Sequence, residues 1–249
     1  MPEFAIYPSL KGRSAFVSGG GSGIGASIVE HLAAQGAKVA FVDINEPASK
    51  EVAIKTGALF LKCNITDTRA YQAALAEVAA RQGAITVLVN NAAHDERHRL
   101  EDVTPEFWDD RIAVNLRHAF FAIQAVVPGM RKAGGGSIIN FSSISYHTMT
   151  ANLAVYQAAK AATIGLTRGL ARDLGGDKIR LNSITPGWIM TQRQIDKWLT
   201  PEAEADLMKA QVLKEKVYPP DIARMVLFLA ADDSRLISAQ NFVVDGGRM

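Results

Sequence analysis

A chain of 249 residues with 48% hydrophobic side chains is long enough for one large domain with a well-buried core. Its formal net charge is only +2 and it has no long basic run, which argues against a nucleic-acid or anionic-membrane partner. The single cysteine, Cys63, rules out an intrachain disulfide, and no apolar stretch approaches the roughly 18 residues of a spanning helix. The opening MPEFAIYPSL lacks the basic start and apolar run of a secretory signal, so a cytoplasmic protein is expected.

The first predicted strand, Ser14–Ser18 (SAFVS), runs into the loop Gly19-Gly20-Gly21-Ser22-Gly23-Ile24-Gly25, and a helical pattern follows over Ala26–Gln35. A glycine-rich loop between strand and helix lets backbone N–H groups approach a pyrophosphate, and the helix start adds its dipole. Lys38–Asp43 (KVAFVD) reads as the second strand. It ends on Asp43, about 20 residues past the loop, where a carboxylate accepts hydrogen bonds from an adenosine ribose diol and repels a 2′-phosphate. NAD is therefore favoured over NADP. Ala58–Cys63, Ile85–Asn90, Ser137–Ser142, Ile179–Thr185 and Asn241–Asp245 read as further strands, nearly continuously apolar as doubly covered strands are. Between strands lie amphipathic segments such as Asp67–Gln82 and the long stretch from Thr104 towards Lys132. The latter opens on an N-cap and proline signal, Thr104-Pro105-Glu106. The alternation predicts an α/β chain: a single-domain, doubly wound Rossmann fold over residues 1–249, with a parallel seven-stranded sheet and helices on both faces. One irregular region, about Gly187 to Tyr218, is long enough to be a small lid.

Tyr156 and Lys160 (YQAAK) fall one helical turn apart. Two amphipathic side chains on a wet surface would look the same locally. If a nicotinamide is present, however, oxidising an alcohol requires a base for the hydroxyl proton. His94-Asp95-Glu96-Arg97-His98 approaches the zinc pattern HExxH but lacks the glutamate directly after the first histidine and follows a strand, so no metal site is expected. A tyrosine base working near neutrality needs its phenolate stabilised by about 4 kcal/mol, and a neighbouring ammonium has the right sign. Ser143 and the loop Asn90-Asn91-Ala92-Ala93 both follow strand ends, on the sheet edge where ligands of open α/β sheets bind.

Taken together, these motifs resemble the short-chain dehydrogenases/reductases over essentially the whole chain. The loop is GxxxGxG (Gly19, Gly23, Gly25), Asn90–Ala93 resembles NNAG, and Tyr156/Lys160 match YxxxK. Ser143 precedes Tyr156 at the family's interval, and Pro186-Gly187 with Thr191 resembles the motif after the sixth strand. The resemblance implies Tyr156 as base, Lys160 as its cationic partner and ribose ligand, Ser143 holding the substrate oxygen, and Asn115 positioning a water behind Lys160. It implies an NAD site formed by Gly19, Gly21, Ser22, Gly23, Ile24, Asp43, Asn64, Ile65, Asn91, Ala92, Ala93, Tyr156, Lys160, Pro186, Gly187, Ile189 and Thr191. Three positions depart from the pattern: Ser18 for threonine, Ala93 for glycine, and Asn64 for the aspartate that contacts adenine. The Ala- and Gly-rich helix after Leu153 packs against its copy in another subunit in this family, which implies a homotetramer. A close contact inside the chain would use the same residues.

The stretches DERHRLEDVT, FWDDRIAVNLRH and GGGSIINFSSISYH further resemble the short-chain aldose 1-dehydrogenases, D-xylose 1-dehydrogenases among them. That likeness implies oxidation of the anomeric hydroxyl of a cyclic aldose to an aldonolactone. Asn91, His94, Ser145, Tyr146, His147, Asn152 and Trp188, beside Ser143 and Tyr156, are the expected sugar contacts, His147 and Trp188 foremost. Trp198 is read as stacking on sugar or, in preference, anchoring the lid. Two other readings stay open on the same scaffold, a 3-oxoacyl or ketone reductase and a non-catalytic NAD-binding sensor.

Overall fold

The computed structural model describes residues 4–249. Strand β1 (Ser14–Ser18) leads into helix α1 (Gly23–Ala34), then β2 (Lys38–Asp43), α2 (Glu46–Thr56), β3 (Leu59–Lys62), α3 (Thr68–Gln82) and β4 (Val87–Asn90). The second half runs α4 (Pro105–Ile112), α5 (His118–Lys132), β5 (Gly136–Phe141), α6 (Ala154–Leu174), β6 (Ile179–Pro186), α7 (Gln192–Trp198), α8 (Pro201–Ala210), α9 (Pro219–Ala230) and β7 (Asn241–Val244). All seven strands pair in parallel, in the order β3-β2-β1-β4-β5-β6-β7. Strand order therefore reverses between β1 and β4, and the crevice above their carboxyl ends is where such sheets bind ligands.

The alternation of side chains along each strand divides the core in two. Ala15, Val17, Val39, Phe41, Val87, Val89 and Ile139 face one layer, with Ile28, Leu32, Ile222 and Val226 from α1 and α9. Phe16, Ala40, Val42, Leu88 and Ile138 face the other, with Tyr71, Leu75 and Val78 from α3, Ile123 and Met130 from α5, and Leu174 from α6. Both faces are thus dry, which accounts for the near-continuous apolar character of the strands.

Two regions differ from the sequence expectation. The stretch from Thr104 is not one helix: after α4, capped by Thr104 Oγ1, residues Ala113–Arg117 form a π-helical turn before α5 begins. The lid is not irregular. It holds α7 and α8, whose N-caps Thr191 and Thr200 accept hydrogen bonds from Gln194 N and Ala203 N. On α6, Ala158, Ala161, Ala162, Gly165 and Gly169 are exposed, so packing inside the chain does not account for them. Among the described residues no helix is long and apolar enough to cross a membrane.

Candidate active site

A groove of about 610 Å3 runs along the carboxyl edge of β1, β2 and β4. Gly19, Ser22, Gly23, Ile24, Asp43, Asn64, Ile65, Asn91, Ala92, Ala93, Tyr156 and Thr191 line it, as expected from the sequence. Its floor requires glycine. A Cβ on Gly25 would lie 1.8 Å from the Gly19 carbonyl, and one on Gly21 would lie 2.4 Å from Ser49 Oγ. No side chain caps α1: Ser22 is extended and its hydroxyl makes no cap bond, so the first N–H groups of the helix remain for an anion. Asp43 is held at the end of β2, its Oδ2 accepting from Gly21 N at 2.9 Å and its Oδ1 from Asn45 N at 2.9 Å. A narrow backbone cradle, an uncapped helix start and a fixed carboxylate fit a dinucleotide. Asn64 is also engaged, its Oδ1 accepting from Thr66 N and Oγ1 at 3.1 and 3.0 Å.

A second cavity of about 430 Å3 opens off this groove, and Ser143, Tyr156 and Lys160 share its wall with Pro186, Gly187 and Ile189. Lys160 is buried and its Nζ donates to the Phe141 carbonyl at 2.9 Å, while Ser142 Oγ donates to the Lys160 carbonyl at 2.7 Å. These two bonds fix α6 against the end of β5. Lys160 Nζ lies 5.6 Å from the centre of the Tyr156 ring. Ser143 Oγ accepts from Ser145 N at 3.1 Å and so is held at the mouth of the strand. Burial brings the Lys160 ammonium down to about 8.

The Tyr156 phenol differs from the expectation of a lowered pKa. Burial raises it above its ordinary value, and the Asp95 carboxylate raises it further; only the Ser143 hydroxyl and Arg193 pull it back. Added positive charge nearby would favour the phenolate.

Asn115 sits buried in the π-helical turn. Its Oδ1 accepts from His94 N at 2.9 Å, and its Nδ2 donates to the carbonyls of His94 and Arg111 at 3.1 and 2.9 Å. The side-chain amide is thus committed to shaping the loop after β4. One turn further on, His118 is buried with Nδ1 unpartnered. Burial and then the Lys160 charge hold it down to about 3, with a smaller opposing pull from the Ala92 carbonyl. Below the ordinary histidine value of 6.5 the unfolded chain takes a proton that the folded chain refuses, so stability falls with pH between 6.5 and about 3. Between pH 7.5 and 5 this one group is expected to cost about 2 kcal/mol. Urea unfolding at the two pH values checks it: His118→Gln should lose markedly less stability on acidification than the parent chain.

The substrate contacts expected from sequence divide. Trp188 and Ser145 line the catalytic cavity, and Ser145 Oγ is buried with no partner. Asn91 lies between groove and cavity. His147 is exposed and stacked on Tyr146 at 4.0 Å between ring centres, outside the cavity, because the short 3-10 turn Ile144–Tyr146 directs it away. Asn152 is exposed at φ 58°, its carbonyl accepting from His98 N, and does not reach the cavity. His94 lines the groove instead, with Nδ1 against the Arg111 guanidinium and burial holding its pKa below the ordinary value. Trp198 is 40% exposed and lines the cavity, with the Arg97 guanidinium 5.0 Å over its ring, so it is a cavity wall more than a core anchor. Among the described residues no three His, Cys, Asp or Glu side chains are grouped to hold a metal ion.

The polar stretch His94–His98 reaches the cavity wall through residues that the sequence did not single out one by one. Asp95, Arg97 and Gln194 line it, and Asp95 joins the loop after β4 to the lid. Its Oδ1 pairs with Arg193 Nη2 at 2.9 Å and its Oδ2 accepts from Gln194 Nε2 at 3.0 Å. Gln194 Oε1 in turn accepts from Trp188 Nε1 at 2.9 Å. The only signal in the sequence was the charge run HDERH, which drew attention to its histidines.

Known proteins resemble this chain in sequence and in fold. The family model described as Enoyl-(Acyl carrier protein) reductase matches residues 19–248. The D-xylose 1-dehydrogenase of Caulobacter vibrioides is 46% identical over 98% of both chains. The probable galactose dehydrogenase of Rhizobium meliloti is 47% identical, covering 97% of this chain and 96% of its own. A solved structure from Sinorhizobium meliloti, described as a short-chain alcohol dehydrogenase, superposes with a TM-score of 0.90 at 29% identity, covering 97% of this chain and 98% of that one. With a doubly wound sheet, a glycine cradle and a Ser-Tyr-Lys cluster at the switch point, the chain belongs to the short-chain dehydrogenase/reductase family of nicotinamide-dependent oxidoreductases.

Proposed function

We propose that the protein oxidises the anomeric C1 hydroxyl of a cyclic aldose, with NAD as acceptor, to the aldonolactone. The observation that carries this reading is the second cavity. Ser143, Tyr156 and Lys160 line it together with Asp95, Arg97, Gln194, Trp188 and Trp198. Hydrogen-bonding groups beside indole faces suit a ring that is hydroxylated at its edge and carries C–H bonds on its faces. The names of two relatives at 46 and 47% identity, a D-xylose 1-dehydrogenase and a galactose dehydrogenase, support the same class.

In this reading the Ser143 hydroxyl holds the C1 oxygen beside the Tyr156 phenol. The dinucleotide, when bound, supplies an oxidised nicotinamide that takes the C1 hydride. As hydride leaves, the hydroxyl proton passes to the ionised Tyr156 oxygen, and the C1–O bond becomes the lactone carbonyl. Lys160 keeps a positive charge near the phenol and has N–H groups left beyond the one bound to the Phe141 carbonyl. Asp43 would hold the adenosine ribose diol, and the α1 start the pyrophosphate. Asn115 acts through the loop it braces.

A panel of D-xylose, L-arabinose, D-galactose and L-rhamnose, each with NAD and NADP, tests the proposal by absorbance of the reduced coenzyme. Turnover of at least one aldose with NAD preferred is expected, with lactone as the first product. Inertness to every aldose together with reduction of 3-oxoacyl esters would replace it by the ketone-reductase reading.

A further inference from the structure

We propose that Asp95 determines specificity: its carboxylate accepts hydrogen bonds from a pair of neighbouring hydroxyls on a neutral substrate ring, beside the hydroxyl being oxidised. This rests on the aldose reading of the site and names how that class is selected.

Among the described residues Asp95 alone of the acidic side chains lines the catalytic cavity, and it lines the dinucleotide groove as well. It therefore stands at the junction where a reacting carbon must lie between Tyr156 and the nicotinamide. A carboxylate offers about four acceptor positions. Arg193 and Gln194 take one on each oxygen, and the side chain keeps 23% of its surface open. The Gln194 side chain is itself fixed by Trp188, so the carboxylate is aimed by a braced unit and not by a mobile loop.

Three consequences for selection follow. A vicinal diol supplies donors that fill the open positions. An anionic group at the same place meets a like charge. An apolar ring removes water from the carboxylate and returns nothing, which costs more than the lost bonds alone. The cavity thus disfavours substrates of the steroid or fatty-acyl kind by leaving the open acceptor positions of the carboxylate without donors, and not by size.

The charge also bears on the base. Tyr156 is faced by Asp95 from the loop after β4, by Arg193 from α7, by Ser143 after β5 and by Lys160 on its own helix. Of these only Asp95 is anionic, so its removal makes the phenolate easier to form.

The test is Asp95→Asn, nearly the same shape without the charge, assayed on an aldose the parent enzyme turns over and on its 2-deoxy and 3-deoxy analogues. The variant is expected to raise KM for the parent sugar about 10- to 100-fold, the size of a charge-assisted hydrogen bond, with KM for NAD little changed. The discrimination that the parent enzyme shows against one deoxy analogue should largely vanish in the variant. The midpoint of the pH profile of kcat/KM should move to lower pH. Arg193→Met, which loosens the lid but keeps the carboxylate, should retain the discrimination.

An Asp95→Asn variant with unchanged sugar KM, or with equal losses on parent and deoxy sugars, overturns the assignment; so does loss of discrimination in Arg193→Met. A parent enzyme inert to all aldoses overturns the aldose reading itself, and that result is seen before any variant is made.

Discussion

Replacement of Tyr156 by phenylalanine is expected to lower turnover by about 10²- to 10⁴-fold, the range a positioned general base contributes. Affinity for NAD should stay within about two- to three-fold, because the ring and its packing remain. Burial and Asp95 hold the phenol above its ordinary value, and Ser143 and Arg193 recover only part of that. Added positive charge nearby would favour the ionised base. In the phenylalanine variant no nearby group takes over. Below pH about 8 Lys160 keeps its proton and has no lone pair to accept another, and His118, held down to about 3, is a weak base. Steady-state rates and quenching of protein fluorescence by NAD separate the two quantities. Residual turnover within about ten-fold of the parent enzyme would remove Tyr156 from the role of base.

The sheet and the clustering of Ser143, Tyr156 and Lys160 were legible in the sequence for a simple physical reason. Parallel strands covered on both faces must be apolar throughout, so β1 and β2 stand out as unbroken runs bounded by glycine and charge. The glycine loop was legible because a Cβ at Gly25 would strike the Gly19 carbonyl, a constraint no other residue meets. Other features were hidden. The π-helical turn at Ala113–Arg117 changes no hydrophobic period strongly enough to be seen, yet it turns Asn115 against the backbone of His94. The start of α8 carries the same Thr-Pro-Glu signal as the start of α4, and reading the lid as irregular missed it. Side-chain direction in the strand-exit loops was the least legible. One step along an irregular segment reverses a side chain, so within the charge run His94 was singled out where the cavity uses Asp95 and Arg97. The same ambiguity misplaced His147, which the short turn after Ser143 directs to solvent.

Asp43→Ala is expected to compress the preference for NAD over NADP by about 100-fold or more, chiefly through loss on the NAD side. Each Asp43 oxygen already takes one backbone N–H, from Gly21 and Asn45, which fixes the carboxylate and leaves its other acceptor positions for a ribose diol. Losing hydrogen bonds to a charged group costs about 1.5–3 kcal/mol, or about 10- to 100-fold in kcat/KM for NAD. For NADP the same change removes repulsion between the carboxylate and a phosphate a few ångströms away, of about 1–4 kcal/mol per charge in a wet groove. The gain on the NADP side is nevertheless limited, because the cations at this edge are engaged. Lys62, paired in register with Asp43 across β2 and β3, lies 3.0 Å from Glu46, and Lys50 lies 2.8 Å from the same residue. Hydrogen bonds and charge from these two lysines hold the Glu46 carboxyl down to about 2, so it stays ionised and keeps them occupied at any working pH. Asp43→Ala with Glu46→Gln should therefore raise NADP turnover further than either change alone, since the second releases both lysines towards the phosphate. The measurement is kcat/KM for each coenzyme at one saturating sugar concentration in all four proteins. An unchanged NAD to NADP ratio in Asp43→Ala would mean that the ribose is read elsewhere in the groove, and equal losses on both coenzymes would mean that the carboxylate serves only to hold Gly21 and Asn45 in place.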